Sequence, residues 1–186
     1  MKRAFDIVIV ILVAFTLFFI IIVTAIAVRL TSQGPVIFWS KRVGRGNKLF
    51  WMPKFRTMRA DTPAVATHLL VNPERWLTPI GSILRKTSVD ELPQLWSVFK
   101  GDMSIVGPRP ALYNQNDLIQ LRTSKNVHML LPGLTGWAQI NGRDEISVEE
   151  KVQFDFEYSK RKSLGFDIYI VLMTVFKVLK RDGVTH

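Results

Sequence analysis

Ile7-Val8-Ile9-Val10-Ile11-Leu12-Val13-Ala14-Phe15-Thr16-Leu17-Phe18-Phe19-Ile20-Ile21-Ile22-Val23-Thr24-Ala25-Ile26-Ala27-Val28 is a run without a charge, bracketed by Lys2, Arg3 and Asp6 before it and Arg29 after it. As one helix it would reach roughly 33 Å, about the thickness of bilayer hydrocarbon. A helix apolar on every face can also sit inside a large protein, but 186 residues leave little protein to surround it. Ala25-Ile26-Ala27 resembles a signal cleavage site. Against that, the run exceeds the ~7–15 apolar residues of a secretory signal, and Asp6 stands where such signals are basic. The segment therefore reads as membrane-inserted. Cations flank it on both sides, Lys2 and Arg3 before it and Arg29, Lys41, Arg42, Arg45 and Lys48 after it, and such flanks stay cytoplasmic. A re-entrant helix satisfies both flanks, whereas a single span satisfies only the heavier one; either way the bulk of the chain is cytoplasmic.

The excess of 25 Lys+Arg over 15 Asp+Glu, a net +10, favours a polyanionic partner: nucleic acid, anionic lipid or a phosphorylated substrate. The membrane segment narrows these to the last two. The absence of Cys removes disulfides, thiolate chemistry and cysteine zinc sites. His68, His128 and His186 are scattered without metal-ligand spacing.

Asp90-Glu91-Leu92-Pro93-Gln94-Leu95-Trp96-Ser97-Val98-Phe99-Lys100-Gly101 predicts a helix with Asp90 as N-cap, Pro93 in the first turn and Gly101 as the stop. Leu92, Leu95, Trp96 and Phe99 form one apolar stripe that predicts packing on a core. A carboxylate at a helix N-terminus is kept ionised by the local dipole, which suits a nucleophile or a magnesium ligand. Plain helix capping explains the same residues, and spacing alone does not separate the two.

Elsewhere, Val36 to Trp39 and Leu49 to Met52 predict a small β-hairpin around a basic loop, and Lys54-Phe55-Arg56-Thr57-Met58-Arg59 concentrates three cations. Residues 61 to 74 predict a loop around a short helical turn. Trp76, Ile80, Ile83 and Leu84 predict an amphipathic helix on a bilayer surface, weakened by Pro79. Ala111 to Lys125 predicts a polar helix, Leu131 to Trp137 a loop, and Trp137 to Ile140 a short strand. Ser147 and Glu150 form a capping box for a helix to about Lys162, and Phe166 to Lys180 predicts a last, largely apolar helix. The fold class is thus mixed α/β, mostly helical, with residues 1–30 as the membrane-inserted helix and 31–186 as one domain at the interface, which the resemblance described next implies is catalytic.

Taken in order, Lys2-Arg3 with Phe5-Asp6, Gly34-Pro35-Val36-Ile37-Phe38, Arg42-Val43-Gly44, Lys54-Phe55-Arg56-Thr57-Met58, Asp90-Glu91-Leu92-Pro93-Gln94-Leu95, Gly101-Asp102-Met103-Ser104, Val106-Gly107-Pro108-Arg109-Pro110, Pro132-Gly133-Leu134-Thr135-Gly136 and Asn141-Gly142-Arg143 resemble bacterial sugar transferases of the monotopic polyprenyl-phosphate phosphoglycosyl transferase type. The resemblance implies transfer of a sugar 1-phosphate from a UDP-sugar to undecaprenyl phosphate at the cytoplasmic face of the bacterial inner membrane, with release of UMP. By the same resemblance Asp90 is the nucleophile and Glu91 helps it hold Mg2+. Arg56, Arg85 and Arg109 stand where the family has phosphate-binding cations. Arg143, Asp155 and Asp167 match further positions assigned to nucleotide or sugar contacts, or to orienting the arginines. Membrane lipid is a partner, nucleic acid is not, and a homodimer is compatible with the pattern. The family commonly carries Ser-Pro in its membrane helix where this chain has Phe18 and Phe19, so the usual cause of a kink is missing. The alternatives are a membrane-anchored basic module that binds anionic lipid, and a metal-dependent lipid or nucleotide phosphatase.

Overall fold

The computed structural model describes residues 1–63, 72–142 and 146–180. Two N-terminal helices, α1 (Lys2–Thr16) and α2 (Phe18–Thr31), meet at Leu17 with a bend of 65°. Among the described residues no single helix is long and apolar enough to cross a membrane. The apolar run is thus bent, as a re-entrant path requires, and it bends without proline. At the break the Thr16 hydroxyl donates to the carbonyls of Leu12 and Val13, a back-bond that competes with the helical ladder. The pair is also inside out. Its buried residues include Asp6 and Thr24, while Ile11, Phe15, Phe19, Val23 and Leu30 are exposed.

The hairpin forms as predicted, β1 (Ile37–Val43) pairing antiparallel with β2 (Leu49–Phe55) around a tight turn at Arg45–Asn47. Next come a turn at Pro73–Trp76 and the short helix α3 (Gly81–Lys86). The predicted Trp76-to-Leu84 helix is thus interrupted before Gly81, as a proline at 79 dictates. Leu84 is buried and Ile83 exposed. The loop expected at 61–74 lies largely outside the described residues.

Val89–Gln94 is a 3-10 turn that leads into α4 (Leu95–Lys100), and Gly101 stops the helix in the left-handed region at φ 98°. The core face of α4 is Leu95 and Val98. Trp96 and Phe99, expected in the core stripe, instead stack on each other in the open with centroids 5.9 Å apart. The tighter opening turn rotates the stripe away from α-helical spacing.

β3 (Ser104–Val106) is the hub of the core. It pairs in parallel with β4 (Gly133–Thr135), in a stretch expected to be loop. This pairing brings Gly107 against Gly133 so closely that a Cβ on either would strike the other's backbone. After α5 (Asn116–Ser124), residues 137–141 form a helical turn, α6 (Trp137–Asn141), in place of the predicted strand. Trp137 packs there on Phe154, Phe166 and Tyr169; a four-residue, mostly apolar stretch does not by itself distinguish strand from helix. The capping box at Ser147 forms and opens α7 (Val148–Arg161), followed by α8 (Leu164–Lys180).

Polar contacts tie α1 to this hub. Asp6 accepts from the Ser104 hydroxyl (3.0 Å) and the Ile105 amide (3.1 Å). Lys2 lies 2.7 Å from Asp167 of α8, and Arg3 donates to the last carbonyls of α4, Val98 and Phe99.

Candidate active site

Strand alternation puts Ser40, Arg42, Met52 and Lys54 on one face of the hairpin, because cross-strand partners share a face. The Val89–Gln94 turn packs over β2 and delivers Asp90 and Glu91 to that face. Asp90 is not the cap it was expected to be. Ser88, in the left-handed region at φ 55°, precedes the turn, and Asp90 lies within its first residues, 7 % exposed. The other wall is residues 107–110, pinned along their length: Gly107 N–H to Thr135 (2.9 Å), Pro108 carbonyl from Gly133 N–H (2.8 Å), Arg109 carbonyl from Arg122 (2.8 Å) and Pro110 carbonyl from Arg42 (3.2 Å).

Glu91 is gripped by two cations on one oxygen, Lys54 Nζ at 2.7 Å and Arg109 Nη2 at 2.9 Å. Burial alone would raise its pKa, but Arg109 and Lys54 together hold it well below the usual carboxylate range. Its neighbour goes the other way. Burial pushes Asp90 up to about 6, opposed by Lys54, Arg85 and Arg109 and reinforced by the charge of Glu91. Burial works against the helix dipole expected to keep Asp90 ionised, and a value of about 6 leaves the carboxyl mostly ionised at neutral pH. Among the described residues Asp90 accepts no hydrogen bond, so a buried carboxyl stands unengaged inside a ring of cations.

The remaining predicted residues fall in different places. Arg85 donates to the Thr57 hydroxyl (3.0 Å), is lowered by burial, and acts electrostatically on Asp90. Arg56, buried, donates to the Ser32 carbonyl and hydroxyl at the exit of α2; burial and then Arg29 lower it. Gly34 lies against its guanidinium, where a Cβ would collide. Asp155 sits in a buried pair with Arg122 (2.6 Å), and Arg122 in turn holds the Arg109 carbonyl, so this aspartate orients an arginine at one remove. Asp167 accepts from Tyr158 (2.7 Å) and pairs with Lys2, away from the cations around Glu91. Arg143 lies outside the described residues.

Two residues of the cluster were not singled out from sequence. Lys54 was seen only within a basic run and a motif, and Arg42 only as a flanking cation and within a motif. The bounds of β1 and β2 would have found both, since the register places them on one face with Met52 and Ser40. Arg42 is lowered to about 10 by burial and by Arg109, with Glu91 opposing.

A cleft of about 180 Å3 lies between the hairpin and residues 109–110, lined by Arg42, Met52, Lys54, Gln94, Arg109 and Pro110. A larger, mostly apolar hollow of about 350 Å3 lies beyond Pro110 and includes neither Asp90 nor Glu91. Among the described residues no cluster of three or more His, Asp or Glu side chains could hold a metal alone. The pair at 90–91 nonetheless fits Mg2+, which takes one or two carboxylates and completes its shell with water and substrate phosphates. Asp90 is unengaged and the second oxygen of Glu91 makes no hydrogen bond to the described residues.

A buried acid beside a clamped one, ringed by Lys54, Arg85 and Arg109, presents the charges that suit a phosphoryl group. The chain belongs to the bacterial sugar transferase family, which it matches over residues 1–181. It is 42 % identical over 186 residues to the uncharacterized sugar transferase EpsL of Bacillus subtilis (strain 168), covering 99 % of this chain and 90 % of that one. It is 43 % identical over 185 residues to the UDP-glucose:undecaprenyl-phosphate glucose-1-phosphate transferase of Escherichia coli (strain K12), and 37 % over 204 residues to the undecaprenyl-phosphate galactose phosphotransferase of Salmonella typhimurium. These matches take in 95 % and 98 % of this chain, which spans only 40 % and 41 % of those two relatives.

Proposed function

We propose that this chain moves a sugar 1-phosphate from a UDP-sugar to undecaprenyl phosphate. The observation that carries the reading is Asp90: a buried carboxyl with no hydrogen-bond partner among the described residues, beside an acid already neutralised by two cations, in a chain whose relatives are named for this transfer. An ionised Asp90 oxygen attacks the sugar-proximal phosphorus. The bond from that phosphorus to the bridging oxygen breaks, and UMP leaves with the electron pair. A lipid phosphate oxygen then attacks the same phosphorus and displaces the Asp90 carboxylate, giving the polyprenyl diphosphate sugar. Lys54, Arg85 and Arg109 neutralise the crowded anions and hold the diphosphate in line, the main requirement of phosphoryl transfer. Asp90 and Glu91 would hold Mg2+, which supplies further charge neutralisation.

The helix pair supports a membrane setting for this chemistry. Its apolar outer surface suits lipid, and the 65° bend suits a re-entrant path with both ends on the cytoplasmic face of the bacterial inner membrane. In this reading residues 1–30 insert and residues 31–186 carry the reaction at the interface.

The test is a panel of UDP-glucose, UDP-galactose and UDP-N-acetylgalactosamine with Mg2+ and undecaprenyl phosphate, read as UMP release. Intact-protein mass after donor alone should show one added hexose phosphate or N-acetylhexosamine phosphate, absent in Asp90→Asn. UMP release without any adduct would replace the two-step route by direct attack of the lipid phosphate.

A further inference from the structure

Gln94 ends the Val89–Gln94 turn and is 2 % exposed, yet its carboxamide makes no hydrogen bond to any described residue, and its nitrogen is enclosed. Buried amides are paired as a rule, so an unpaired one calls for a cause. Its setting supplies one. Gln94 lines the cleft with Arg42, Lys54 and Arg109, and these side chains are donors only. None can accept from an amide N–H. Neither acid of the cluster, Asp90 or Glu91, accepts from it. A bound ligand can supply the acceptor that these side chains do not, and three cations select an anionic one.

The size of the cleft narrows the choice. The cleft is open to solvent, and its enclosed part, about 10 Å3, has room for about one water-sized group, far less than encloses a whole small molecule. One phosphate oxygen can enter it, with the rest of the molecule outside.

We propose that Gln94 is a ligand-contacting residue whose carboxamide N–H donates to a non-bridging oxygen of the phosphate that leaves as nucleoside monophosphate, in a pocket whose cations are Arg42, Lys54 and Arg109. This deepens, and rests on, the UDP-sugar reading above. The oxygen and nitrogen ends of the carboxamide exchange by a half-turn about its last side-chain bond, so the donor reaches the cleft while the backbone stays anchored by α4. The cations supply charge with little direction, and the amide supplies a directed donor.

The experiment measures UMP binding to the full chain in detergent by calorimetry, for wild type, Gln94→Met and Gln94→Glu, with a thermal midpoint for each. Gln94→Met keeps the volume and removes an unpaired polar group, so its midpoint stays level or rises while UMP affinity falls about tenfold or more. Gln94→Glu keeps an acceptor and loses the donor, and it loses affinity at least as far. In turnover the KM for the UDP-sugar rises more than kcat falls. Wild-type affinity in a folded Gln94→Met overturns the proposal. So does wild-type affinity in Gln94→Glu, which would make the side chain an acceptor that orients cations, and that variant carries the test if Gln94→Met does not fold. Failure of the wild type itself to bind UMP would instead remove the UDP-sugar reading, and this inference with it.

Discussion

Asp90 and Glu91 are neighbours in sequence and titrate in opposite directions: burial lifts Asp90 to about 6, while Arg109 and Lys54 hold Glu91 ionised against the same loss of water. One acid is committed to its cations, and the other is left available. The two effects are coupled through space, since Glu91 is among the groups that raise Asp90 and Lys54 and Arg109 among those that lower it.

The first prediction concerns pH. In the proposed reaction Asp90 attacks as its anion, so the rate should climb through pH about 6 and level above it. Glu91→Gln removes a negative neighbour and moves the acid limb of any residual activity to lower pH. Lys54→Met removes a positive one and moves it higher. The pH dependence of UMP release checks both signs, and a shared direction would contradict the coupling.

Stability follows from the same burial. The folded pKa of Asp90 lies above the ordinary value of 3.8, so folding is favoured with the proton bound and is progressively opposed as pH rises from about 4 to 6. A rise from 3.8 to about 6 corresponds to at most about 3 kcal/mol. Asp90→Asn should therefore be more stable than wild type at pH 8, by about 1–3 kcal/mol, and no more stable at pH 4. Its UMP release should fall on the order of 10^3-fold or more. Thermal unfolding at the two pH values, beside the assay, measures the trade.

Arg122 and Asp155 form a buried pair that also holds the Arg109 carbonyl. Arg122→Met leaves Asp155 buried and uncompensated, which costs about 3–5 kcal/mol, whereas Arg122→Met with Asp155→Leu recovers much of that loss. The carbonyl contact is lost in both. The double variant should therefore regain its thermal midpoint while keeping a raised KM for the UDP-sugar.

The break at Leu17 makes a prediction about proline. α2 begins at Phe18, and its first helical hydrogen bond across the break is from Ile21 N–H to the Leu17 carbonyl. The N–H of residue 19 is thus not needed, and Phe18→Ser with Phe19→Pro should be tolerated, with UMP release within about threefold of wild type. Proline at Val10, within α1, should cost about 3 kcal/mol or more and abolish the packing of that helix on β3. Activity and membrane recovery of the two variants separate a tolerated break from a destroyed helix.

Much of this was legible from the chain because local chemistry decided it. The hairpin followed from two apolar runs around a basic glycine loop, the α7 start from Ser147 and Glu150, and the α4 stop from Gly101. What was hidden depends on contacts distant in sequence. Nothing near Gly133 announces a strand; it becomes one because Gly107, 26 residues earlier, allows the backbones to touch. Trp137 reads as strand until the α7 and α8 aromatics are placed around it. In the site, Asp90, Glu91, Arg85 and Arg109 were named from sequence and come together. Lys54 and Arg42 needed the strand register, and the rise of Asp90 needed its burial, which no spacing encodes.

Lys2, at the start of α1, is locked by Asp167, which the ribosome adds 165 residues later. At about 5–20 residues per second that interval is roughly 8–33 s. For the first part of it neither Ser104 nor Asp167 exists, so in the membrane reading proposed above the two N-terminal helices settle in lipid before their polar anchors arrive. Order of synthesis thereby becomes order of assembly: α8, made late, is the helix that fastens the first.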